Sequence, residues 1–292
     1  MHDKKTGVFE QNRKTLEGIA YRMLGTLSEA TDVVQDTYIK WHKTNENEIK
    51  NSRAWLIKVC SRLALNVLHS ARANRENYVG IWLPEPFITK NSDDISLQLE
   101  LDETISVALL LTLEKLSPTE RAAYLLHDVF DYSFDEIASI LEKTTTNCRQ
   151  LATRARKKIT LRKSKFVTSP KEHRHLLNSF LLAAREGKIE QFKSFLANSV
   201  ELYADGGGKA EAVAEMLLGH ETVGKFFIQI WRQYALQNIN IKTSILWFNG
   251  SPGILVFEND IPSTAITLDI SEGQIQRIYA IRNPDKLMSF PG

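Results

Sequence analysis

Two all-α modules, the second carrying a helix-turn-helix, followed by an α+β domain: this multidomain class is what the sequence predicts. Three observations point to it. Apolar residues recur at helical spacing from Leu16 onward. Helix-start signals repeat at Ser117 and Ser133, each with a glutamate three residues on, Glu120 and Glu136. From Val200 the pattern changes to period-two segments separated by Gly and Asn turns. A chain of 292 residues holds two or three such cores. Its formal net charge of +2 hides an asymmetry, because acidic residues are absent from Ile49 to Arg75 and again from Lys143 to Lys171.

Leu16, Ile19, Ala20, Met23, Leu24 and Leu27 mark an amphipathic first helix. Ser28 then precedes Glu29 and Asp32, and a second helix turns Val33, Val34, Thr37, Tyr38 and Trp41 inward. Its other face carries Glu29, Asp32, Gln35 and Asp36, either an ordinary solvated face or a docking surface for a basic partner. Asn51-Ser52 opens a third helix with Trp55, Leu56, Cys60, Ala64 and Leu68 on its apolar stripe and Lys50, Arg53, Lys58, Arg62, Arg72 and Arg75 among its basic residues. Tyr78 to Pro86 breaks the helical pattern. Its two prolines impose an extended course, and Val79, Ile81, Trp82 and Leu83 call for burial, so this connection docks rather than floats. Helix resumes near Leu97 and runs to Leu113.

The stretch from Leu116 to Lys165 organises the chain. Ser117, with Pro118 in the first turn and Glu120 behind, caps one helix; Ser133 with Glu136 caps a short second one. Thr144 or Thr145 caps a third, whose buried stripe is Cys148, Leu151, Ala152, Ala155 and Ile159. Two short helices with a tight break, the second basic, make the helix-turn-helix pattern. An acid-free run holding Arg149, Arg154, Arg156, Lys157, Lys158, Arg162, Lys163 and Lys165 suits duplex DNA, although a charge run also serves as a solvated face. On the DNA reading, Thr145, Thr146, Arg149, Gln150 and Thr153 meet base edges or nearby phosphates, and Arg154, Arg156 and Lys157 grip phosphates.

After Lys165, Ser169-Pro170 reads as a hinge. Helices are expected over 175–185, 189–196 and 220–231, and strands over 200–204, 239–248, 253–258, 263–270 and 274–281, with turns at Asn249-Gly250, Asn259-Asp260 and Glu272-Gly273. The expected product is a curled antiparallel sheet wrapped on helices. Asp205-Gly206-Gly207-Gly208-Lys209 lacks the strand and helix contexts of nucleotide-binding loops. It is a hairpin turn or a point of close approach by another segment. His220, Asp205, Asp269 and Tyr203 are the candidates for a cone-shaped pocket, but no triad or metal-ligand spacing emerges, so neither catalysis nor a metal or other cofactor is predicted. Cys60 and Cys148 fall on apolar helix faces and read as buried thiols of a reducing compartment. Met1-His2-Asp3-Lys4-Lys5 has no apolar signal core and no apolar run reaches membrane-spanning length, which predicts a cytoplasmic protein without a membrane partner.

In this order the pieces resemble an extracytoplasmic-function (group IV) RNA polymerase sigma factor, of the SigJ-type subgroup with a C-terminal SnoaL-like (NTF2-like) domain. Asp32-Val33-Val34-Gln35-Asp36-Thr37 with Trp41 resembles the family's polymerase-binding segment. Asn51 to Arg75 resembles the promoter-melting and −10 segment. Leu116 to Lys158, with His127-Asp128-Val129-Phe130 and Cys148-Arg149-Gln150-Leu151-Ala152, resembles the −35 domain. Trp82-Leu83-Pro84-Glu85-Pro86, Asp205 to Lys209 and Asn283-Pro284-Asp285-Lys286-Leu287 resemble three signatures of the subgroup, and their joint occurrence is specific.

The resemblance implies a region 2 domain over 8–76, a linker over 77–99, a region 4 domain over 100–165 and a SnoaL-like α+β cone over 170–292. It implies no chemistry by this chain, and as partners the polymerase core, through the beta-prime clamp and the beta flap, and promoter DNA. The implied residues are Glu29, Asp32, Gln35 and Asp36 for the core; Thr145, Thr146, Arg149, Gln150, Thr153 and Arg154 for the −35 element; and Trp55, Lys58, Arg62, Asn66, His69, Arg72 and Arg75 for −10 recognition and melting. Trp55 also reads as plain core. An interdomain regulatory contact is expected between Trp82, Leu83, Pro84, Glu85 and Pro86 on one side and Asp205, Gly206, Gly207, Gly208, Lys209, Asn283, Pro284, Asp285 and Lys286 on the other. Whether the cone holds a small ligand is left open. A helix-turn-helix regulator, or a ligand-binding or cyclase-like protein acting without polymerase, is the alternative. This chain departs from the family pattern at Asn66-Val67, where an Asp-Arg pair is usual, at His69 in place of an arginine, and at Asp131 and Glu142, the latter where a glycine commonly makes the helix-turn-helix break.

Overall fold

A computed structural model describes residues 2–45, 49–88, 106–160, 169–288 and 290. The chain divides into two compact units, Met1–Asn77 with Leu110–Arg162, and Tyr78–Leu109 with Lys163–Gly292. The two helical modules therefore pack as one unit, while the linker joins the C-terminal domain.

The first unit opens with α1 (His2–Leu24), α2 (Leu27–Lys43) and α3 (Ser52–Glu76). Leu16, Ile19, Met23, Val33, Trp41, Leu56, Cys60 and Ala64 form its buried seam. Trp41 donates from its indole to Lys5 O at 2.9 Å, so the large ring is buried without an orphaned donor. Ser28 does not cap α2. Thr26 occupies the N-cap position and gives its hydroxyl to Glu29. Asn51 does start α3, its Oδ1 accepting from the Ala54 amide at 3.0 Å.

The second module contains α4 (Val107–Leu113), α5 (Pro118–Tyr124) continuing into a five-residue π-helical turn (Leu125–Val129), α6 (Phe134–Leu141) and α7 (Thr145–Thr160). The expected helical start near Leu97 and the basic residues Arg162, Lys163 and Lys165 lie outside the described residues. Complete capping boxes close on Ser117/Glu120 and Ser133/Glu136. Every residue of the expected α7 stripe is buried: Cys148, Leu151, Ala152, Ala155 and Ile159.

The second unit holds α8 (Pro170–Glu186), α9 (Ile189–Ser194), β1 (Leu196–Asp205), β2 (Leu217–Leu218), α10 (His220–Leu236), β3 (Ile241–Phe248), β4 (Ser251–Glu258), β5 (Ile261–Ser271) and β6 (Gln274–Ile281). Ser169-Pro170, expected as a hinge, opens a helix. Ser169 caps α8 in a third capping box, with Pro170 at its first turn. The sheet order is β2-β1-β6-β5-β4-β3, and β1 lies parallel to β6, a pairing that a purely antiparallel meander did not anticipate. The three hairpin turns carry positive φ at both central residues, Asn249-Gly250, Asn259-Asp260 and Glu272-Gly273, the twist that suits two-residue connections. Alternate residues Val200, Leu202, Ile254, Ile266 and Ile278 pack against the helices. There the rings of Phe180, Phe192 and Phe227 meet tilted or edge-to-face, with centroids 4.7 to 5.6 Å apart.

Candidate nucleic-acid interface

The break between α6 and α7 is built at Glu142, which adopts φ +55° while the Lys143 amide reaches back to Ala138 O at 3.1 Å. Thr144 caps α7 through the Asn147 amide at 3.2 Å. With the stripe buried, the opposite face presents Thr146, Arg149, Gln150, Thr153 and Arg154 to solvent. Thr145 is half-buried and gives its hydroxyl to Asp135 Oδ1 at 2.8 Å, which ties the recognition helix to α6. The Arg149 guanidinium lies over the Phe134 ring at 5.6 Å, a platform that limits its rotamers. The next turn is more internally paired. Lys158 donates to Glu120 at 2.8 Å, Arg154 approaches the same carboxylate at 3.7 Å, and Arg156 pairs with Asp128 at 2.6 Å. Burial works against the Glu120 charge, yet Lys158 and the Ser117 amide and hydroxyl together hold its carboxyl below the usual range.

On α3 the expected single-strand contacts divide. Asn66 and His69 are exposed, and the Arg72 side chain lies outside the described residues. Trp55 is half-buried, 5.5 Å from Trp41, so one face is core and the rest is open. Lys58, Arg62 and Arg75 point elsewhere. Lys58 Nζ donates to Ser139 Oγ at 2.9 Å, and Arg62 donates to Ile140 O at 2.9 Å and Ser139 O at 3.0 Å. Arg75 pairs with Glu114 at 2.6 Å. All three are bonded to the helix-turn-helix module.

The sigma-70 region 2 family matches residues 8–74, and the sigma-70 region 4 family matches residues 106–159. The chain is 32% identical to the ECF RNA polymerase sigma factor SigJ of Mycobacterium tuberculosis, covering 97% of this chain and 93% of that protein. It belongs to the ECF RNA polymerase sigma factors. The ECF sigma factor SigG of the same species is 29% identical over 54% of this chain and 49% of its own length. The crystal structure of M. tuberculosis SigJ superposes with a TM-score of 0.78 at 29% identity, covering 98% of this chain and 99% of that one. That agreement includes the α+β domain, so the expected class of two helical sigma domains followed by an α+β domain is the fold.

In this sigma factor Asp32, Gln35 and Asp36 share an exposed face of α2, while Glu29 turns toward Thr26 and lies 3.8 Å from Arg75. The linker is seated on the C-terminal domain. Asp205, fully buried, accepts from the Tyr78 hydroxyl at 2.6 Å, the Leu83 amide at 2.8 Å and the Lys286 ammonium at 2.7 Å. Lys286 also donates to Leu83 O and sits 4.5 Å over the Trp82 ring and 5.2 Å over Tyr78. Asn283 donates to the Tyr78 oxygen at 2.9 Å. Burial, and then the Asp205 carboxylate, raise the Tyr78 phenol, so it stays a neutral donor. Further along, Phe87 and Asn249 exchange two hydrogen bonds, at 3.0 and 2.8 Å.

The glycine run forms a tight turn leaving β1, with the Lys209 and Ala210 amides closing on Gly206 O at 3.0 Å. A Cβ on Gly207 would meet Asn283 Nδ2 at 2.3 Å, and one on Gly208 would meet the Val79 side chain at 3.2 Å. Close approach is therefore what these glycines permit. Leu83, Pro84, Glu85 and Pro86 are buried, whereas Val79 is 67% exposed and does not need the burial expected of it. Lys209 and Asp285 pair on the surface at 2.6 Å, and Pro284 is exposed.

Of the four pocket candidates two come together, Tyr203 and Asp269, joined through Glu201 and Arg277, which lie 3.0 Å apart, and the other two stand elsewhere. Asp205 holds the linker, Asp269 pairs with Arg277 at 2.7 Å, Tyr203 donates to Glu201 on the same face, and His220 stands at the start of α10. Among the described residues no group of three His, Cys, Asp or Glu side chains could hold a metal. No helix there is long and apolar enough to cross a membrane. Reading by motif gave Glu114 and Arg121 no role, and Tyr78 and Asn249 only places in a linker and a turn, because each is defined by a partner far along the chain.

Proposed function

We propose that this sigma factor reads the upstream −35 element with the exposed face of α7 and handles the −10 element with α3. Arg149 and Gln150 are suited to bidentate contacts with guanine and adenine, Thr145, Thr146 and Thr153 to neighbouring edges and phosphates, and Arg154 to the backbone. On α3 the open part of Trp55 stacks unpaired bases as the duplex melts, Asn66 and His69 lie along the same track, and Arg72 supplies positive charge; Lys58, Arg62 and Arg75 add theirs only on exchanging Ser139, Ile140 and Glu114 for the strand. Asp32, Gln35 and Asp36, with Glu29 at their edge, dock on the basic clamp of beta-prime, and region 4 engages the beta flap. The C-terminal domain tunes the factor through the Tyr78–Pro86 linker rather than by chemistry of its own. The protein works in the cytoplasm.

The observation that carries this reading is the acid-free solvent face of α7, with Arg149 and Gln150 side by side on a helix capped and packed in helix-turn-helix fashion. The test is a pull-down with bacterial core polymerase followed by run-off transcription. Wild type should bind core and initiate at a cognate promoter. Arg149→Ala and Gln150→Ala should each weaken −35 discrimination by about 1–3 kcal/mol while leaving core binding intact. A chain that binds DNA as a palindromic dimer and ignores core polymerase would overturn it.

A further inference from the structure

Among the arginines of α7, Arg154 and Arg156 each approach a carboxylate, Glu120 at 3.7 Å and Asp128 at 2.6 Å. Arg149 has no such partner among the described residues. Its guanidinium rests on the Phe134 ring instead, 5.6 Å from the centroid. An exposed arginine without an ion pair samples many rotamers, and a bidentate contact with guanine uses only one of them. What holds the Phe134 ring therefore bears on what Arg149 can read.

Phe134 is the first residue of α6 and only half-buried, so its ring needs support from outside the core. His127 supplies it. The two rings meet with centroids 4.0 Å apart and planes 35° from parallel. A backbone carbonyl can only accept, so the 2.9 Å contact between His127 Nδ1 and Tyr132 O has the nitrogen donating, which fixes both the tautomer and the ring plane. An unusual turn of the backbone brings this about. Leu125–Val129 is π-helical, with the Phe130 amide closing on Leu125 O at 3.1 Å and the Tyr132 amide on Leu126 O at 2.9 Å. Asp131, at φ +56°, then turns the chain into α6, and His127 meets the ring of a residue seven positions on. The same turn carries Asp128, the partner of Arg156. Successive residues of one π-helical turn thus restrain two arginines of α7.

We propose that His127 is a positioning residue for promoter recognition: it braces Phe134, and through that ring it orders the arginine that reads guanine in the −35 element. This deepens the reading of α7 given above and rests on it. His127 itself touches no DNA; it acts through Phe134. The series His127, Phe134, Arg149 runs from the π-helical turn to the outward face of α7. Ordering the guanidinium before DNA arrives removes part of the entropy cost of binding in one geometry. The benefit falls on the base pair that Arg149 meets and on no other. Asp135, next to Phe134, accepts the Thr145 hydroxyl at 2.8 Å and so keeps the ring and the recognition helix in register. An exposed contact between a cation and an aromatic face accounts for about a twofold to fivefold effect.

The test uses holoenzyme reconstituted from the full-length chain and bacterial core polymerase, which selects duplexes from a pool randomised over the −35 element. Sequencing the bound duplexes gives the base preference at each position. Arg149→Ala should flatten one guanine preference and so mark the position concerned. His127→Leu keeps the bulk and removes both the ring and its bond to Tyr132, and Phe134→Leu removes the platform. Each should weaken that same preference about twofold to fivefold and leave the other positions as in wild type. His127→Phe restores a ring without the bond and should recover most of the loss. Thermal midpoints of the same variants separate positioning from folding, because a merely structural role lowers the midpoint and the affinity for every duplex alike. A uniform loss across positions, no change in His127→Leu, or a loss that His127→Phe shares in full overturns the role of His127, while the reading of α7 stands as long as Arg149→Ala loses its guanine. If Arg149→Ala flattens no position, that reading fails, and the role of His127 with it.

Discussion

Lys286 shows how much one side chain carries. Its ammonium is buried against a carboxylate of zero exposure and is flanked by two rings. Removing one partner of such a pair strands the other charge, which costs about 3–5 kcal/mol. Lys286→Met should therefore lower the unfolding free energy by that order in urea titration. Asp205→Asn combined with Lys286→Met should recover part of the loss, a coupling that a double-mutant cycle measures. His173 offers a pH readout. Burial pushes its imidazole down to about 4, against an ordinary value near 6.5. Between those values the unfolded chain binds a proton that the folded chain refuses, so stability falls as pH drops through the window. From pH 7 to pH 5 the loss attributable to this residue should be about 2 kcal/mol, and His173→Phe should show a correspondingly flatter dependence. Cys60, its thiol pushed up to about 12 by burial, should resist alkylation in the folded protein.

At the scale of elements, what could be read in advance was what local chemistry decides. Ser117, Ser133 and the stripe on α7 carry their signals within four or five residues, and all form as expected. The two-residue turns of the sheet are equally local, since Asn, Asp and Gly tolerate positive φ. Ser169 shows the limit, because the glutamate three residues on, which completes a capping box, went unused in reading Ser-Pro. The parallel pairing of β1 with β6 left no local trace either, being set by packing on α8 and α10. Ser133→Ala tests how much the cap contributes. It removes the hydroxyl that accepts from the Glu136 amide, while the backbone amide at 133 keeps its bond to the Glu136 carboxylate, and should cost about 1 kcal/mol of stability, read as a lowered thermal midpoint. Because α6 positions Phe134 under Arg149, −35 discrimination should fall with it, while Thr31→Ala on the exposed face of α2 should leave both unchanged.

At the scale of the whole molecule, the order of modules was legible and their pairing was not. Arg75 meets Glu114, Tyr78 meets Asp205 and Lys286 meets Leu83 across separations of 39, 127 and 203 residues, and no periodicity announces such partners. Departures from the family pattern were the exception: Glu142 stood out in the sequence, and in the fold it meets Arg62. The candidate site was thus legible where residues face solvent on a capped helix, and illegible where basic residues of α3 are paired with the helix-turn-helix module. The seating of the linker leads to the last prediction. Leu83 is fully buried and its amide and carbonyl are both bonded, so removing residues 169–292 would strip the linker of its partners. The truncated chain should still bind core polymerase, since the acidic face of α2 is untouched. Its linker should become a site of rapid proteolysis, and run-off output at a cognate promoter should change by several-fold. Lys286→Met in the full chain should shift output in the same direction by a smaller factor, because it loosens the same seat without removing the domain. Equal output from all three proteins would mean that the C-terminal domain holds the linker without governing initiation.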